Sequence, residues 1–204
     1  MHSDQIALGI INVAGGILVI GSYVHGIRTH PENRDQAWGG VPERLRPLYT
    51  ACMPLAAAGY FAFSYFILFR LDPGGVRIAD TFGFDFFYAV YVLILFPSAL
   101  WMPLTFATLD RPSRTRWWAI RATLTIVGLA SLALLVGLLL LGPEDSGYAY
   151  WLAVAGAAVF SVQTAMLDAV VWPRYFPTVL PERNQHPQTL SSSARSADQD
   201  ETRR

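Results

Sequence analysis

Asp168 is a carboxylate near the end of the last of five long apolar segments, where a charge is costly. At 100° per residue, Ala157, Phe160, Ser161, Thr164, Asp168 and Trp172 fall on one helical face. That face combines two aromatics, two hydroxyls and an acid. A carboxylate at the centre of a bilayer costs about 2.5–3.5 kcal/mol, so such a face turns toward protein or a cavity. Three fates compete for Asp168: pairing with an arginine, of which Arg121 is the candidate, retention of its proton, or direct contact with a ligand. A second constellation lies in the third segment, where Ser98, Trp101 and Thr105 share a face and Pro97 and Pro103 flank the indole. Prolines inside a span free backbone carbonyls that hydroxyls, neighbouring helices or water must satisfy. Aromatic surfaces with one or two polar groups stack and orient flat rings. The chain has no nucleophile–base pair, no metal-ligand spacing and no glycine-rich phosphate loop, so no catalytic or metal residue is assigned.

These residues need elements to hold them. Charge-free stretches span residues 5–27, 47–69, 86–109, 122–143 and 146–167, each 22 to 24 residues long. About 20 apolar residues cross the hydrocarbon core as a helix. With 53% hydrophobic residues, net charge zero and mean hydropathy +0.34, the chain suits a membrane protein. The expected fold is all-α, a bundle of five transmembrane helices over residues 6–27, 47–69, 86–109, 117–142 and 148–172. Residues 1–176 form one membrane domain, and the polar, Ser- and Gln-rich residues 177–204 a disordered cytoplasmic tail. An acidic leader and a long apolar run favour a retained first helix over a signal peptide.

Arginines set the orientation. One side carries Arg28, Arg34, Arg44, Arg46, Arg111, Arg114, Arg116, Arg121, Arg174 and Arg183, and the other only Arg70 and Arg77. The positive-inside rule then places the N-terminus out and the C-terminus in. All basic residues are arginine, which suits a GC-rich prokaryote and hence its plasma (inner) membrane. The lone Cys52 excludes an intrachain disulfide.

Residues 28–47 form a long loop broken by Pro31, Gly39, Gly40 and Pro42 but holding Trp38 and Val41. Such length points to function, and the apolar pair to a lid over the inner mouth of the bundle; headgroup anchoring of Trp38 is the alternative. Trp38, Trp101, Trp117, Trp118 and Trp172 crowd the inner half against Trp151 alone on the outer, which predicts an inward aromatic pocket. The first helix carries Asn12, His25 and Ser22-x-x-x-Gly26, read as intramolecular packing before a homodimer face. Pro54 should bend the second helix. The loop at Asp72-Pro73-Gly74-Gly75 reads as an inert turn, and the aliphatic fourth helix as one with much lipid contact.

The run Ser98-x-x-Trp101-Met102-Pro103-Leu104-x-Phe106 with Arg111-Pro112 resembles the third-helix pattern of the translocator proteins, also called tryptophan-rich sensory proteins (the TspO/MBR family). Leu167-Asp168-Ala169-Val170-Val171-Trp172 is similar to that family's fifth-helix motif, and Leu48-Tyr49 with Met53 and Tyr60 to its second helix. The resemblance covers roughly residues 6–176. Ser98 and Asp168 stand where the family has asparagines, and Leu45 and Phe160 where it has tryptophans linked to porphyrin breakdown. The resemblance therefore implies an aromatic pocket without implying that activity.

What it implies is a membrane receptor, sensor or transporter for a flat hydrophobic small molecule, tetrapyrrole or sterol-like. No cofactor is required; a porphyrin or haem-type group is the bound ligand implied, with no nucleic-acid partner. The ligand-binding residues expected are Trp38, Tyr49, Ser98, Trp101, Phe160, Thr164 and Asp168. The alternatives are a membrane enzyme acting on a lipid or tetrapyrrole, with Asp168 and His25 as its weak catalytic pair, and a non-catalytic scaffold subunit.

Overall fold

The computed structural model describes residues 2–31, 38, 40–142 and 147–176. Among them the secondary structure is helical, without strands, and five helices are long and apolar enough to cross a membrane. Helix α1 spans Ser3–Thr29, α2 Arg46–Phe69, α3 Asp85–Asp110 and α4 Arg114–Leu141. The fifth crossing is composite: α5 (Gly147–Ser161) passes into a π-helical stretch, Val162–Val171, and ends in a short helix, α6 (Trp172–Tyr175). The helices run a few residues past the apolar stretches because Asp4, Asp85 and the arginines that flank them sit in terminal turns. The expected tail, residues 177–204, and residues 32–37 and 39 of the first loop lie outside the described residues.

The helices pack in the order α1–α3–α4–α5–α2, while α1 and α2, neighbours in sequence, touch little. Small residues set the closest approaches. A Cβ on Gly156 would stand 2.8 Å from the Gly59 Cα, and one on Gly128 2.9 Å from the Ala165 Cα. Backbones meet directly there, as packing between apolar helices demands. Gly26 lies against Met102 and Phe106 in the same way, which places Ser22-x-x-x-Gly26 on an intramolecular contact. One polar chain, buried at Ser64 and Tyr91, fixes the register of three helices: Tyr60 donates to Asn12 (3.0 Å), Asn12 to Ser64 (3.4 Å), and the Ser64 and Tyr91 hydroxyls hydrogen-bond at 2.8 Å.

The aliphatic fourth helix keeps an exposed apolar face at Leu129, Val136 and Leu140, as expected, and is also the most enclosed of the five, with 44% of its apolar window buried against 6% for α1. Apolarity alone does not separate a lipid face from a protein face; Gly128, Ala130, Ser131 and Gly137 are what let α3 and the fifth crossing close on α4. The loop after α2 opens with the expected turn, Pro73–Gly75, and then packs inward. Its Val76, Ile78 and Phe84 are buried in the core at that end, and Ala79 and Asp80 adopt left-handed backbone to turn them inward.

The core has two halves. One, built on Phe63, Phe66, Phe87 and Tyr91, fills the end beside that loop. The other lies at the arginine-rich end around Tyr49, Ile120, Leu167 and Trp172, with Trp38 and Trp101 packed on it.

Candidate ligand-binding cavity

A cavity of about 310 Å³ opens beside the second core half. Such a volume falls at the small end of the range for small-molecule sites. Four elements and a loop supply its wall: Tyr23 and Ile27 from α1, Tyr49 and Met53 from α2, Trp101, Met102 and Phe106 from α3, Asp168 and Trp172 from the fifth crossing, and Trp38 from the first loop. Ile27 and Met53 are also 39% and 43% exposed, so the cavity opens between α1 and α2, the pair that barely touches.

The π-helical stretch explains how Asp168 reaches this space. An i→i+5 ladder winds more residues into each turn, and such segments collect at functional sites. The carboxyl of Asp168 thereby stands over Gln163, five residues earlier, whose Nε2 donates to Asp168 Oδ1 at 2.8 Å. Gln163 is Asp168's hydrogen-bonding partner among the described residues, and no arginine pairs with it. Arg121 is engaged elsewhere, its guanidinium 5.6 Å over the ring of Trp118. The Leu167 carbonyl receives two donors, the Trp172 amide from within the ladder and the Tyr49 hydroxyl at 2.8 Å. Tyr49, only 1% exposed, thus pins α2 to the irregular backbone while its ring faces the cavity.

The aromatic side chains hold one another. Trp101 packs edge-on against Trp172 with ring centroids 5.7 Å apart, and Tyr23 meets Trp101 at the same separation. Trp38 stands perpendicular to Tyr49 at 6.3 Å. Such pairs contribute about 0.5–1.5 kcal/mol each beyond the area they bury. The loop is anchored where Gly40 donates its amide to the Tyr175 carbonyl at 2.7 Å; a Cβ on Gly40 would clash with that oxygen. Val41, 2% exposed, is buried beside it, and Trp38 lines the cavity. At the α1 and α3 termini, His30 Nε2 lies 3.2 Å from Asp110 Oδ2 and its ring stacks on Phe106.

Four of the residues singled out from sequence, Trp38, Tyr49, Trp101 and Asp168, come together here. The other three do not line the cavity. Ser98 turns back to donate to the Ile94 carbonyl at 2.6 Å. Phe160 packs on Tyr60 and Phe63 in the other core half. Thr164 points at α4, donating to Ser131 at 2.7 Å. The common face drawn for the fifth helix assumed 100° per residue throughout, and the π-helical winding dissolves it, sending Phe160, Thr164 and Asp168 to three different neighbours. His25, the expected partner of Asp168 in a catalytic pair, is exposed and does not line the cavity.

Sequence reasoning passed over Tyr23, Ile27, Met53, Met102 and Phe106, and left Trp172 out of the site. Met102 and Phe106 lie in the third-helix motif itself, one and five residues past Trp101, and Tyr23 is the one aromatic in α1. No protein-family model, curated protein or solved structure matches the chain.

Proposed function

We propose that this chain is an integral membrane receptor or carrier for a flat hydrophobic small molecule, held between its helices under the loop at Trp38. The observation that carries the reading is the cavity itself: aromatic on most sides, with one carboxyl on its wall and an opening between α1 and α2. Edge-to-face indoles leave ring faces free to stack a planar guest, and a single polar group orients it. Exposed Ile27 and Met53 at the opening suit a ligand that arrives from the lipid rather than from water. The arginine-rich end, where Trp38 and α6 cover the cavity, is assigned to the cytoplasmic side by the excess of arginine there. The translocator-protein resemblance, resting on the motifs around Trp101 and Asp168, supports the same reading and names its ligand class as tetrapyrrole or sterol-like.

The test is a titration of the purified protein with an uncharged porphyrin diester and with a sterol, read by quenching of tryptophan fluorescence. Saturable binding that Trp101→Ala weakens about tenfold or more is expected. Equal affinity in the variant removes the cavity as the binding site. An absorption spectrum of protein purified without added ligand shows directly whether a coloured guest travels with it.

A further inference from the structure

The cavity's polar content is unequal in sign. Among the described residues its one carboxylic acid, Asp168, receives a single hydrogen bond, from Gln163, and no arginine or histidine forms an ion pair with it. The two ion pairs among the described residues, His2–Asp72 and His30–Asp110, lie elsewhere. Around the acid stand the rings of Tyr23, Trp38, Tyr49, Trp101 and Trp172. Tyr23 and Tyr49 share the cavity wall with that carboxyl. Aromatic faces carry negative potential, and a ring of them recognises an alkylated ammonium by cation–π attraction. A carboxylate in a low-dielectric site adds to that attraction and is itself stabilised once a counter-charge arrives.

We infer that the cavity takes a lipophilic organic cation: a flat apolar body bearing a protonated or quaternary nitrogen, seated among the Tyr23, Tyr49, Trp101 and Trp172 rings with Asp168 as its counter-ion. This rests on the cavity reading above and narrows it. A dicarboxylate such as a free porphyrin brings like charge to Asp168 and is disfavoured. A neutral polycycle gains the stacking and lacks the ion pair. The opening between Ile27 and Met53 admits an amphiphile whose apolar body lies in the lipid while its nitrogen leads inward.

Two probes of the same three-ring shape separate charge from shape: 10-methylacridinium and 9-methylanthracene. Each is titrated into the full chain in phosphatidylcholine nanodiscs, with empty nanodiscs as the partition reference, and binding is read from tryptophan fluorescence. The cation is expected to bind at least about tenfold tighter than its neutral counterpart. Asp168→Asn, whose amide oxygen still accepts from Gln163, should collapse that ratio toward one, whereas Asp80→Asn in the far loop should keep it. Equal affinities in the unmodified protein, or a preference that survives Asp168→Asn, overturn the cation assignment and leave the cavity reading standing. Binding of neither probe overturns both.

Discussion

Tyr49 shows how a single side chain couples fold to site. Its hydroxyl is spent on the Leu167 carbonyl, inside the π-helical stretch, while its ring lines the cavity and meets Trp38. Tyr49→Phe should therefore lower stability by about 0.5–1.5 kcal/mol, the net worth of one buried hydrogen bond, seen as a fall in melting temperature. Tyr49→Ala removes the ring as well and should cost about 3–5 kcal/mol, as large-to-small core changes do. Equal melting points for the two variants would contradict the division of labour. At this scale the sequence was half legible. Trp38, Trp101 and Asp168 announced themselves by being costly or bulky where lipid asks for neither. Tyr23 and Met53 did not, because an aromatic or a methionine in an apolar helix looks the same facing lipid, core or cavity.

At the scale of elements, the number and extent of the helices were readable because charge cannot enter a span cheaply, and five uncharged stretches of spanning length leave one solution. Which helix faces what was not. Apolar periodicity vanishes when both environments are apolar, so nothing in its sequence marked α4 as the most enclosed helix. The informative residues are small ones, and only some of them: a Cβ on Gly21 meets nothing within 4 Å, whereas one on Gly156 meets the backbone of α2. Gly156→Ala should consequently force α2 and α5 apart and cost about 1–3 kcal/mol, while Gly21→Ala should leave the melting temperature unchanged or slightly raised. The reverse order would show that the two helices do not meet at Gly59 and Gly156. The π-helical stretch was likewise hidden, since no residue type demands it. Its effect is large: it separates Phe160 and Thr164 from Asp168 and leaves Asp168 over Gln163.

The whole molecule joins an arginine-rich end, a cavity lined by Trp38 and an opening between α1 and α2. Orientation is checked by cysteine labelling in a Cys52→Ala background. A membrane-impermeant thiol reagent should reach Asp80→Cys from outside the cell and Arg114→Cys only after permeabilisation. The opposite pattern would place the covered end outside.

The location of the guest is the most direct test of all. A diazirine-bearing polycyclic probe, activated in nanodiscs and mapped by peptide mass spectrometry, should leave its adducts on Tyr23, Met53, Trp101 and Phe106, with Trp101→Ala reducing the yield at the other three. Adducts confined to the outward face of α1, at Ile10, Ile17 and Leu18, and indifferent to Trp101→Ala, would mean that the probe merely dissolves in the surrounding lipid and that the cavity holds nothing.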